Sequence, residues 1–203
     1  MPQAIERQSN DRGCDCDLLT VLAIALIASI ATDFIHEGVG HGGACILVGG
    51  KPRLLTSMNF SGDQQGLPQW TSRFVAAGGT IANLVTAVIA MVALPRVKSD
   101  HAKYFWWLFL ALNLLVGTGY FLYSGVGNIG DWAKVTSGLG HPIVWRVTLA
   151  LGGAITYWFA MLFLARLLAP MLSGDSSQRF RAAYWLLLPP YIAGGSWVLA
   201  REC

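Results

Sequence analysis

Six residues near the start of the chain have the types and order of a metal-dependent hydrolase: His36, Glu37, Gly38, Val39, Gly40 and His41. Two imidazoles offer the nitrogen donors that zinc accepts readily, and the adjacent carboxylate is suited to act as a general base. The group stands at the end of a long apolar segment. Ionisable side chains at membrane depth are costly, so such a cluster points to function. Spacing complicates the picture. In an ideal α-helix, histidines four apart diverge by about 40° and can share a metal, whereas five apart they diverge by about 140°. Both histidines can face one ion only if the helix absorbs the extra residue as a π-bulge or loosens at Gly38 and Gly40, which tolerate unusual dihedrals. Asp33, Glu37 and His41 form a competing stripe at i, i+4 and i+8, with Glu37 and His41 as ligands and His36 turned away. The two-histidine set is preferred because it leaves Glu37 free for hydrolysis.

Catalytic zinc takes three protein ligands and keeps one position open. Asp131, within Gly127-Asn128-Ile129-Gly130-Asp131-Trp132, is the first choice for the third, being the only acid between Asp100 and Asp175. His141 is the alternative, although it also reads as an interfacial histidine ahead of the helix-starting Pro142. A second polar element is Asn83, which closes the run Ala77-Gly78-Gly79-Thr80-Ile81-Ala82. It has two readings: a hydrogen bond to a substrate backbone or tetrahedral oxyanion, or interhelical glue. Asn113 reads as glue, and His101 as a solvated loop residue.

These residues must be positioned by membrane helices. The chain has 203 residues, 54% hydrophobic and 12% charged, with a mean hydropathy of +0.51. Soluble domains carry about 25% charged residues. Five segments are long and apolar enough to span a bilayer: 18–35, 74–94, 104–124, 143–168 and 183–200. Tryptophans 70, 106, 107, 145 and 185 lie near their ends, where amphipathic rings prefer the interface. The expected fold is therefore all-α and polytopic, with about five transmembrane helices in a single integral-membrane domain, 18–203. Residues 1–17 read as a polar tail. A secretory signal with its apolar region at 18–31 is the alternative, but the unbroken continuation into Asp33, His36 and Glu37 suits one helix better. Spans one and three run parallel, so His36, His41 and Asp131 reach the same side. A slight excess of Lys and Arg on the other side favours a cytoplasmic N-terminus, and a prokaryotic cell membrane is the expected location. The net charge of +3 is small and scattered, which argues against nucleic acid as a partner. Cys14 and Cys16 are too close together for the usual zinc pairs and read as free or acylated thiols. The polar connection 49–70 reads as a plain loop, with a short hairpin or re-entrant loop as the alternative.

The pattern resembles the site-2 protease type of intramembrane zinc metalloproteases. In that family a His-Glu motif lies in the first core span. The second carries an Ala-Gly-Pro-x-x-Asn-like segment, and the third supplies an Asp from an Asp-Gly motif. This chain offers His36-Glu37 with His41, then Ala77-Gly78-Gly79-Thr80-Ile81-Ala82-Asn83, then Asn128-Ile129-Gly130-Asp131. The likeness covers about residues 18–135. It implies a three-helix metalloprotease-like core holding zinc on His36, His41 and Asp131, with Glu37 as general base and Asn83 binding substrate. The implied partners are the lipid bilayer and a membrane-embedded or membrane-proximal peptide. The chain departs from the family in three places. Its histidines are five apart rather than four, Gly79 stands where Pro is expected, and Trp132 follows Asp131 in place of Gly. The longer spacing is similar to the H-E-x-x-x-H of dipeptidyl peptidase III, a soluble zinc peptidase. Two other functions use the same residues: zinc-dependent hydrolysis of lipid amides or esters, and a non-catalytic metal site with a transport or regulatory role.

Overall fold

The computed structural model describes residues 18–56 and 59–172, together with 175, 177, 183, 184 and 186. The first helix, α1 (Leu18–Phe34), contains no Gly or Pro and is apolar on every side. It runs without a break into a π-helical segment, Ile35–Gly42, and then into the short α2, Gly43–Leu47. A hairpin follows, made of β1 (Lys51–Leu55) and β2 (Phe60–Asp63). The connection 49–70 is thus not the plain loop expected, because Lys51 to Leu55 pair antiparallel with Asp63 to Phe60, with a bulge between Pro52 and Leu54. An ion pair at 2.9 Å from Arg53 to Asp63 ties the two strands together, and these side chains and the backbone hydrogen bond at 2.9 Å from Gln65 hold the Asp63 carboxyl below its usual range.

Three longer helices complete the described structure. They are α3 (Gln69–Ala93), α4 (Asp100–Gly127) and α6 (Pro142–Leu168), with the short α5 (Asp131–Thr136) between the last two. Pro142 occupies the first turn of α6, where a missing N–H costs nothing. Four helical stretches among the described residues are long and apolar enough to cross a membrane: Leu18–Leu47, Gln69–Arg96, Asp100–Gly127 and Pro142–Met171. The protein is therefore all-α and polytopic. The expected span 183–200 lies outside the described residues apart from 183, 184 and 186, as do Cys14 and Cys16.

The packing suits hydrocarbon. Large apolar side chains such as Leu19, Val88, Ile89, Leu151 and Phe159 face outward, whereas small residues line the helix crossings. A Cβ on Gly125 would collide with the backbone of Ala150, and one on Gly153 with that of Leu122, so α4 and α6 touch almost backbone to backbone. Helix α4 is central. Its Tyr104, Trp107 and Leu110 are buried, and the Trp107 indole donates to the Leu164 carbonyl of α6 at 3.2 Å. On the other side, the Asn113 amide donates to the Thr32 hydroxyl of α1 at 3.1 Å, the glue role expected of it. About two turns further along α4, Tyr120 stacks on His36, which follows Thr32 by four residues. These paired levels show that α1 and α4 run parallel, with α3 returning between them.

Candidate metal centre

In the π-helical segment each N–H bonds five residues back, so residues five apart lie above one another. His36 and His41 thus meet on one side, with ring centroids 4.8 Å apart and planes at 86°. Gly38, Gly40 and Gly42 within the segment leave room for this wider turn. Gly40 has a second reason to be glycine. A Cβ there would lie 2.5 Å from the Gly79 Cα and 2.7 Å from the Gly78 carbonyl oxygen, so the π-turn is pressed directly onto α3.

Asp131 arrives from the far end of α4. Asn128, in the left-handed conformation (φ 54°), ends that helix with its N–H on the Ser124 carbonyl at 2.9 Å. Gly130 (φ 80°) turns the chain again, and Asp131 opens α5 facing inward. The turn is pinned by Trp132, whose indole donates to the Thr80 hydroxyl of α3 at 3.0 Å and packs on Phe121 of α4. The residue that departs from the family's Asp-Gly pattern is therefore the one that anchors the aspartate.

The three side chains converge. Asp131 Oδ2 lies 3.2 Å from His36 Nε2 and 3.3 Å from His41 Nε2, with all three residues buried. Together they form a group able to hold a metal ion, their ligand atoms all within 4.8 Å of one another. Hydrogen bonding fixes their chemistry. His41 Nδ1 lies 2.7 Å from the Val75 carbonyl, which can only accept, so Nδ1 carries a proton and Nε2 is the atom turned to Asp131, with a lone pair there when the ring is neutral. That nitrogen faces a carboxylate oxygen. Burial opposes ionisation of Asp131, but the hydrogen bonds and charges of the two histidines outweigh it and hold its carboxyl far below the usual range. Nitrogen and carboxylate lone pairs aimed at one another in a buried site are held together by a proton or by a metal ion in its place, and two imidazoles with one carboxylate are a donor set that fits a metal. A bond from a ligating histidine's second nitrogen to a carbonyl, as at His41, is the usual support for such a ligand. His36 Nδ1 is buried without a hydrogen-bond partner among the described residues, and its ring is held by stacking on Tyr120 at 4.8 Å.

Gly79 forms the wall behind the donors. A Cβ there would stand 2.5 Å from His36 Nε2 and 2.7 Å from His41 Nε2. The reason for glycine at this position is tertiary. Phe60 of the hairpin stacks near His41, at a centroid distance of 6.5 Å, a contact for which the sequence gives no signal.

The remaining candidates divide. Glu37 is half-buried and is not one of the three converging residues. Asn83 lies one turn from Gly79 on α3, fully buried, with neither amide atom hydrogen-bonded among the described residues. His141 does not join the centre: it is exposed, in a left-handed conformation (φ 59°) before Pro142. The Asp33–Glu37–His41 stripe is also overturned as a ligand set, because π-turn geometry brings His36 rather than an acid to His41. Cys45 is buried under the hairpin beside Gly50 and Gly62, outside the histidine group. His101 is exposed, as expected.

No family model, curated protein or solved structure matches the chain. Fold and site alone define the class: a polytopic helical protein whose first and third described spans close a buried His-His-Asp centre against a glycine of the second.

Proposed function

We propose that the protein is an intramembrane zinc-dependent hydrolase, a metallopeptidase resembling the site-2 proteases, that cleaves peptide bonds at or near the bilayer. One observation carries the reading: two imidazole nitrogens stand 3.2 and 3.3 Å from one carboxylate oxygen, with a carboxylate next in sequence to the first histidine. Ligands about 2.0 Å from a tetrahedral zinc ion are separated by about 3.3 Å, so the two imidazole-to-carboxylate distances suit zinc. When bound, zinc supplies a Lewis acid for the scissile carbonyl and a water with a pKa near 7. Glu37 would serve as the general base, accepting the proton of the attacking water and passing it to the leaving amine. We assign the substrate backbone or the developing oxyanion to Asn83, a reading supported by its buried amide, which has no hydrogen-bond partner among the described residues.

The hairpin favours a peptide over a lipid amide or ester. β1 is exposed along its length, and the sheet has two strands, so main-chain groups remain open for an extended segment to add alongside. This reading implies the lipid bilayer and a membrane-embedded or membrane-proximal peptide as partners, in a prokaryotic cell membrane.

The test is Glu37→Gln in detergent-purified and reconstituted protein. Zinc should remain at one per chain, while cleavage of membrane peptides, read by mass spectrometry, falls by about two to four orders of magnitude. Loss of zinc would make Glu37 a ligand, and unchanged cleavage would remove the enzyme reading. Stoichiometric zinc that survives both His36→Ala and Asp131→Ala would refute the ligand set.

A further inference from the structure

We propose that the cavity between the α4–α5 turn and the start of α6 binds the phosphate of an anionic lipid headgroup. The cavity measures about 530 Å³, and Ile129, Gly130, Lys134, Pro142 and Arg146 contribute to its lining. Two cations border it. Lys134 is exposed and forms no ion pair among the described residues. Arg146 donates from Nε to the Gly125 carbonyl at 3.3 Å and from Nη2 to the Val126 carbonyl at 2.9 Å. Those bonds satisfy the end of α4 and fix the guanidinium at the cavity's edge. A third cation, Arg73 of α3, braces the lining loop through its bond to the Ser137 carbonyl at 2.8 Å.

Among the described residues no carboxylate forms an ion pair with Lys134, Arg146 or Arg73. Asp131 is the only acid between Asp100 and Asp175, and its carboxylate is turned away from the cavity onto the two histidines. The cavity's depth in the membrane follows from its neighbours. Span α4 ends at Gly127 and span α6 begins at Pro142, so the opening lies where both leave the apolar layer. Val126 and Ile143 beside it are 65% and 75% exposed, forming an apolar rim level with lipid chains. A basic pocket between two spans, with an apolar rim toward the acyl chains, has the chemistry that captures headgroup phosphates. The Lys134 stem can lie along that rim while its ammonium reaches the phosphate.

The test is native mass spectrometry of the full chain in a non-ionic detergent. The protein is titrated separately with phosphatidylglycerol, phosphatidylcholine and inorganic phosphate. One phosphatidylglycerol should be retained in preference to phosphatidylcholine. Lys134→Gln should weaken that binding roughly fivefold or more, while Lys134→Arg preserves it. Zinc content should be the same in all three proteins, so the outcome is independent of the metal centre. Equal retention of the two lipids, or unaltered phosphatidylglycerol binding in Lys134→Gln, would overturn the proposal. Displacement of phosphatidylglycerol by inorganic phosphate at comparable concentration would assign the site to free phosphate and overturn the lipid assignment.

Discussion

Gly79→Ala tests the metal centre without touching a ligand. The added Cβ would lie 2.5 Å from His36 Nε2, 2.6 Å from His36 Cε1 and 2.7 Å from His41 Nε2. Non-bonded carbon contacts settle at about 3.5–4.0 Å, so each ring must retreat by roughly 1 Å. Metal–ligand distances tolerate only about 0.2 Å. Neither ring has an easy retreat, since His41 is tied to the Val75 carbonyl and His36 is packed against Tyr120. Metal affinity should therefore fall by at least about a hundredfold, the upper end of what disturbing a ligand's support usually costs. The fold should survive. Overpacking costs about 1–3 kcal/mol, and replacing a helical Gly by Ala returns about 1 kcal/mol. The assay is metal content by elemental analysis, with affinity from chelator competition and melting followed in parallel. Gly152→Ala, where a Cβ meets nothing within 4 Å, is the matched control and should bind metal normally. Wild-type zinc affinity in a folded Gly79→Ala protein would refute the convergence of these donors on one ion.

Asn83→Ala should cut turnover by about a hundredfold, the scale of a lost oxyanion donor, while zinc content holds and the melting temperature stays level or rises, because an unpaired buried amide is removed. A stability loss of about 0.6 kcal/mol with near-normal turnover would return Asn83 to interhelical glue. Asp131 governs the acid limb of stability in chelator-treated protein. Its folded carboxyl is held below the unfolded value of about 3.9, so its contribution is complete above that value and is lost as the pH falls from there through the folded value. Asp131→Asn should remove this dependence from acid melting curves, and an identical acid limb in the variant would contradict the ion-pair assignment.

The parts of the site legible in the sequence are those set by local geometry. Histidines five apart at the end of an apolar helix demand irregular backbone, and the structure supplies a π-turn. Asp131 was legible because glycines mark its turn and because two parallel spans must end on one side. The supports were not legible, because they are contacts between elements distant in sequence. The Val75 carbonyl under His41, the Tyr120 ring on His36 and the Thr80 hydroxyl on Trp132 leave no periodic or compositional trace. His141 misled for a related reason. Its place beyond span three put it on the correct side, but Pro142 fixes the start of α6 there, and the chain before it turns outward through a left-handed residue. The hairpin was legible only as an alternative to a plain loop, because β1 buries nothing and so shows no alternation of apolar and polar residues.

The unusual spacing and the glycines form one mechanical device. A π-turn is wider than an α-turn, and packing it against a neighbouring helix pushes the two axes apart unless the contact is thin. Here the contact is glycine against glycine: Gly40 on the π-turn meets Gly78 and Gly79 on α3 with no space for a Cβ on either side. The close approach carries the α3 backbone to the histidine edges, and the missing Cβ of Gly79 leaves space beside the donors. A Pro at 79 would fill that space with its ring. The five-residue spacing and the Gly at 79 therefore belong together. Shortening the spacing to four by deleting Val39 should abolish metal binding, read by elemental analysis, unless α3 is also altered, because a narrower turn withdraws both imidazoles from the wall that Gly79 provides.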